Sequence, residues 1–234
     1  MSDTTSTSSE TTEKLPRKLT PYSINAILLR AELVVNGHQS DTEIQNAMVA
    51  FSYDSAAMQV LGQQLTDCRA LVAATLQSRG QQRGQTQQTQ DAWAAAKDAT
   101  ATFRLVCTEL LKSEPGVLVS LGISSGRAPQ ALGAFLVYAD NLFTNALSAS
   151  ASVKAKLAAR GYNDARLTVE KGKIDALHAA NQAQEQAKGT AQDLTPQQKN
   201  ALAELDDAIM LYRKLARRAL KTRPQLLEKL GIKA

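Results

Sequence analysis

The residues able to do chemistry are few and far apart. There are two histidines, His38 and His178, and two cysteines, Cys68 and Cys107. A carboxylate-bridged metal pair inside a helical protein needs inward glutamates and two Glu-x-x-His motifs. Asp175, not a glutamate, precedes His178 at that spacing, and His38 follows Asn36-Gly37, read as a helix stop, so it is expected in a loop. No metal or other cofactor is expected. Cys68 and Cys107 lie symmetrically about the stretch 81–90, in which six of ten residues are Gln. That stretch is either a hairpin loop or a polar length of helix projecting beyond its partners; an antiparallel hairpin turning there would set the two thiols level. They would then be either a redox pair or two small buried apolar residues, and a reducing compartment favours the second. No Ser–His–Asp set, no paired carboxylates and no strand-borne phosphate loop stands out, so an enzyme is not expected.

Charge is the other chemical resource. The net charge is +5 and the isoelectric point about 9.2. Arg213, Lys214, Arg217, Arg218, Lys221 and Arg223 crowd the C-terminal end. Such a cluster suits an acidic surface, nucleic acid or anionic lipid. It lacks the interleaved aromatics on which single-stranded nucleic acid stacks. The plainer reading is a solvated helix end, where cations are favoured by the helix dipole. Two of these cations, Arg213 and Lys221, recur upstream as Arg104 and Lys112. The candidate interaction residues are therefore Arg104, Lys112, Arg213, Arg217, Arg218 and Lys221.

That recurrence belongs to an internal repeat. Residues 103–123 (FRLVCTELLKSEPGVLVSLGI) and 212–232 (YRKLARRALKTRPQLLEKLGI) align without a gap at an offset of 109, with 8 of 21 positions identical. Each copy ends a long helix and then makes a short one. Ser113 or Thr222 is expected to cap the short helix, with Pro115 or Pro224 in its first turn. Gly122 or Gly231 ends it, because glycine adopts the left-handed conformation without a Cβ penalty. Ile123 or Ile232 follows, placed to fold back onto Leu118 or Leu227.

The remaining elements follow from periodicity. Residues 1–19 are polar and aperiodic, expected to be a disordered tail. Thr20-Pro21 opens a first helix. Ser40-Asp41-Thr42-Glu43 is a capping box opening a long helix whose apolar seam runs from Ile44 through Met48, Phe51, Met58 and Leu65 to Leu76 at spacings of three and four. Its partner carries Trp93, Ala96, Phe103 and Cys107. A third helix begins near Pro129 and reaches Leu157. The stretch 165–188 is helical with few hydrophobics beyond Leu167, Ile174 and Leu177, hence exposed or packed on another chain. Thr195-Pro196-Gln197-Gln198 is a further capping box, opening the last long helix. Matching Val49-Ala50-Phe51 to Gly133-Ala134-Phe135 puts an insertion of about 25 residues at 160–195 in the second copy.

The expected fold is all-α: an antiparallel up-down four-helix bundle built from a duplicated helical hairpin, with short extra helices. One domain would span 20–234, with pseudo-repeats at about 40–123 and 129–232. No apolar run reaches the length of a membrane span, and no leader with an apolar core opens the chain, so a cytoplasmic protein is expected. The functional expectation is a non-enzymatic structural or protein-interaction bundle that self-associates as a homo-oligomer. The alternative is an amphipathic bundle that binds anionic membrane.

Overall fold

The computed structural model describes residues 21–124 and 126–233. The expected disordered tail and the Thr20 cap lie outside them. The described chain is all-helical: α1 (Pro21–Gln39), α2 (Thr42–Val49), α3 (Ser55–Leu110), α4 (Pro115–Ser120), α5 (Leu132–Leu147), α6 (Ala151–Ala158), α7 (Asp164–Ala219) and α8 (Gln225–Lys229). Both α3 and α7 are 56 residues long. The described residues divide into two compact units, 21–72 with 196–233 and 73–195.

Two expected breaks do not occur, and a third place left open between loop and helix is helix. Gly37 lies inside α1; a Cβ there would sit 2.5 Å from the Lys229 carbonyl oxygen, so the glycine serves close packing and not a stop. The Gln-rich stretch is helix, the second of its two readings, so no hairpin turns at 81–90 and the two arms are one element. Gln is a good helix former, and the two glycines there, Gly80 and Gly84, cost only about 1 kcal/mol each. Thr86 and Thr89 also return their hydroxyls to the carbonyls of Gln82 and Gln85. Pro196 likewise falls within α7 and opens nothing. Thr195, expected as its cap, bonds back to the Ala191 carbonyl at 2.9 Å.

Breaks occur elsewhere. The long helix expected from the Ser40 box ends at Val49, after eight residues, and Asp41 rather than Ser40 caps it by accepting from Glu43 N and Ile44 N. The chain reverses through Ser52, whose φ is +63°. Asp54 then caps α3 through the Ala57 N–H at 2.8 Å. The third helix splits into α5 and α6, with Ser150 accepting from Val153 N between them. The short helices α4 and α8 form without the expected Ser113 and Thr222 caps, since neither has a side-chain cap bond. Their endings do match expectation. Gly122 and Gly231 have φ of +86° and +65°. Ile123 N donates to Leu118 O at 2.8 Å and Ile232 N to Leu227 O at 2.9 Å.

The repeat is longer than its 21 aligned residues, and no insertion interrupts it. The bounds of α2 and α3 become those of α6 and α7 on adding 109 throughout. Phe51 and Phe135 are therefore not equivalent: Phe51 sits in the turn after α2 and Phe135 within α5. Local chemistry follows the same offset. Asp41 and Ser150 cap the short helices, Asp54 and Asn163 cap the long ones, and Ser52 and Gly161 both take positive φ. Buried positions correspond as well, for example Ile44 and Val153, Met48 and Leu157, Met58 and Leu167, Leu65 and Ile174.

Each unit draws on both copies. The core of the first joins Val34 of α1, Met48 of α2 and Leu61 of α3 to Leu205, Ile209 and Tyr212 of α7 and Leu227 near the C-terminus. The core of the second joins Phe103 and Cys107 of α3 and Leu121 after α4 to Phe135, Leu142 and Phe143 of α5, Leu157 of α6 and Leu167 of α7. Leu167, Ile174 and Leu177, expected to be exposed or to face another chain, are at most 2% exposed and belong to this second core. An equivalent ring contact closes each unit between copies. Tyr53 meets Tyr212 at 4.8 Å in the first, and Tyr162 meets Phe103 at 4.9 Å in the second.

Candidate functional site

The six candidate cations do not form one site. Arg104 and Lys112 belong to the second unit; Arg213, Arg217, Arg218 and Lys221 belong to the first. Arg104 and Arg213 are structural. Arg104 donates to the Tyr138 hydroxyl at 2.9 Å, to Ser124 O at 3.0 Å and to Gly126 O. Arg213 donates to Gly231 O at 3.2 Å. In both copies, then, the arginine ties down the backbone just beyond the short helix, which accounts for its recurrence. Lys112, Arg217, Arg218 and Lys221 are solvent-exposed.

What gathers around Arg213 is a mixed apolar and cationic face of the first unit, made by α1 and α7. Arg30 of α1 pairs with Asp206 of α7 at 2.7 Å. Leu33 packs against Gly231, close enough that a Cβ there would meet its Cδ1 at 2.6 Å. Burial lowers the Arg213 pKa, and the neighbouring Arg217 and Arg30 lower it further, while Asp206 opposes them. Arg213 thus sits among two neighbouring guanidiniums and one carboxylate, and that carboxylate is already paired with Arg30. On the same two helices Leu29, Leu33 and Met210 are 56%, 39% and 41% exposed.

The thiols are not a pair. Cys68 lies in the first unit and Cys107 in the second, on one uninterrupted helix, and both are free and buried. Burial pushes the Cys107 thiol up to about 12 and raises that of Cys68. Cys68 donates to the Ala201 carbonyl at 3.2 Å. Neither is a ready thiolate nucleophile. Among the described residues no cluster of His, Cys, Asp and Glu could hold a metal ion. His178 is exposed and shares a shallow hollow of the second unit with Asp140 and Asp175.

A buried polar pair that no local pattern marks lies in the first unit. His38, expected in a loop, occupies the last turn of α1 and is 3% exposed; its Nδ1 lies 2.9 Å from the hydroxyl of the fully buried Tyr212. Burial lowers the His38 pKa, so the neutral imidazole is favoured even at a helix C-terminus. It also raises the Tyr212 pKa, with Tyr53 adding to the effect. Beside the pair opens a cavity of about 400 Å³ that His38 and Tyr53 help to line. The one available signal was the repeat itself: at an offset of 109, His38 answers to Leu147, and Tyr212 to Phe103.

No protein family, curated protein or solved structure matches the chain.

Proposed function

We propose that this chain is a non-catalytic protein-interaction module, and that its α1–α7 face receives an acidic amphipathic helix. The observation that carries this reading is that exposed Leu29, Leu33 and Met210 stand on the same two helices as Arg30, which is paired with Asp206, and as Arg213 with its neighbour Arg217. Leu29 and Leu33 are four residues apart, the spacing that presents an apolar stripe to a partner helix. The surplus cations would steer an acidic partner and set its register. Arg218 and Lys221 extend the positive field along α7. Two finer readings go with this one. Each unit acts as a small helical bundle, and α3 and α7 pack in coiled-coil fashion along seams such as Met58, Leu61, Leu65 and Cys68, spaced by three and four. The buried free thiols accord with a reducing, cytoplasmic setting.

The test is a labelled peptide with leucines at helical spacing and glutamates elsewhere, titrated onto the protein and read by fluorescence anisotropy. Salt-sensitive binding that Leu29→Glu with Met210→Glu abolishes is the expected result. No binding, or binding indifferent to those substitutions, contradicts the reading. Light scattering over a concentration series reports whether a second copy is itself the partner.

A second reading has anionic lipid as the partner, because Met210 and Leu211 adjoin Lys214, Arg217 and Arg218 on α7. Among the described residues no helix is long and apolar enough to cross a membrane, so such binding would be at the surface. Flotation with anionic and neutral vesicles separates the two readings.

A further inference from the structure

The two copies of the repeat provide an internal comparison, since one fold carries two different chemistries at corresponding positions. In the second unit the position of the His38–Tyr212 pair is held by Leu147 and Phe103, an apolar solution. Above it, Lys154 reaches across to Asp164 at 3.0 Å, joining the first turns of α6 and α7. The residues that answer to this ion pair in the first unit are Gln45 and Ser55. Neither is charged, and both line the 400 Å³ cavity. The positions that an ion pair bridges in one copy are uncharged in the other.

We propose that the first unit's cleft, over the His38–Tyr212 pair, is a binding site for a small neutral molecule bearing hydroxyl or amide groups. Its lining defines that class. Gln39, Asn46 and Gln59 bring carboxamides that both donate and accept. Gln45 has its amide nitrogen committed to the carbonyls of His38 and Gln39, each at 3.1 Å, which holds that wall in place. Ser55 and Tyr53 add hydroxyls, while Val49 and Met58 supply apolar contact. No lysine or arginine is among the lining residues, so the cleft does not suit an anion. The one charged group, Asp54, already uses a carboxylate oxygen on the Ala57 N–H.

The floor contributes orientation. With Nδ1 on the Tyr212 hydroxyl, the neutral ring keeps Nε2 as its second polar atom, a donor or an acceptor according to tautomer. A purely structural pair would leave the cleft unexplained, because the second unit packs the same positions with Leu and Phe. The volume is at the small end of ligand pockets, which span roughly 300–1,000 Å³. None of the residues of the α1–α7 face lines this cleft, so the two sites fail or succeed independently.

The experiment exploits there being only two histidines. Ring resonances of His38 and His178 are followed in the full chain while N-acetylglucosamine or myo-inositol is added to millimolar concentrations, with glucose 6-phosphate as the anionic control. The site predicts that a neutral compound moves the His38 signal and leaves that of His178 in place, while the phosphate does not. Gln45→Lys with Ser55→Asp transplants the second unit's ion pair. It is expected to weaken the response about tenfold or more in a chain that still folds. Three results would overturn the proposal: neither neutral compound moves His38, the phosphate moves it equally, or the response survives in the folded double variant. Melting temperature is read alongside, and should the double variant melt early, Asn46→Ala, at the cleft wall, replaces it under the same criteria.

Discussion

If the His38–Tyr212 hydrogen bond is a polar substitute for a Leu–Phe pair, breaking it from one side should cost more than replacing it whole. Tyr212→Phe leaves Nδ1 of a 3%-exposed imidazole without its partner, and His38→Leu leaves the hydroxyl of a fully buried tyrosine without its own. Either orphaned group costs about 1–3 kcal/mol in a protein interior. The double variant places Leu and Phe where the second unit has Leu147 and Phe103, and its cost should fall to about 1 kcal/mol or less. With each single variant costing about 1–3 kcal/mol and the double about 1, the coupling from a double-mutant cycle is about 1–5 kcal/mol in magnitude. Urea unfolding of the four proteins measures it.

The same set of proteins reads out pH. Burial lowers the folded-state pKa of His38 from its ordinary value of 6.5. Between those two values the unfolded chain binds more protons than the folded one, so stability rises with pH. The stability from a neutral His38 is thus full above 6.5 and is lost as pH falls from there toward the lowered value. Variants with Leu at position 38 should lack that acid-side loss. Additive single costs, or an unchanged acid slope in His38→Leu, would refute the reasoning.

Other consequences can be checked separately. Gly37→Ala forces a Cβ to within 2.5 Å of the Lys229 carbonyl and should cost about 1–3 kcal/mol in urea unfolding, although alanine is the better helix former. Ser52→Gly relieves a left-handed serine and should stabilise by about 0.5–1 kcal/mol, whereas Gly161→Ser at the equivalent turn should destabilise by a similar amount. Cys68 and Cys107 should resist a thiol reagent such as dithionitrobenzoate until the chain is unfolded, and mass spectrometry should find no disulfide joining them.

How much of this could be read from residues alone depended on whether the signal was local. The ends of α4 and α8 were legible because a left-handed glycine followed by isoleucine is satisfied within six residues. The all-helical class and the seam spacing of α3 were legible because periodicity is a property of one helix. The reversal at 50–54 was not, because the apolar period of Ile44, Met48 and Met58 continues across it. Ser52 also hides the glycine that its counterpart Gly161 displays. The Gln-rich helix and the interior Pro196 defeat local rules for a different reason. Gln is as compatible with helix as with loop, and a helix held over 56 residues tolerates one proline that propensity alone would place at a start. Arg104 and Arg213 drew notice by recurring, but their work is local and structural. His38 and Tyr212 drew none, because a hydrogen bond between residues 174 apart in the chain leaves no local mark.

The central claim is that each unit is built from the first half of one copy and the second half of the other. Aromatic nuclear Overhauser effects test it directly, since each copy carries one tyrosine before its long helix and one ring near the end of it. The account predicts cross-peaks between the rings of Tyr53 and Tyr212, 4.8 Å apart, and between those of Phe103 and Tyr162, 4.9 Å apart. Cross-peaks pairing Tyr53 with Phe103 and Tyr162 with Tyr212 would mean that each copy closes on itself, and would contradict it.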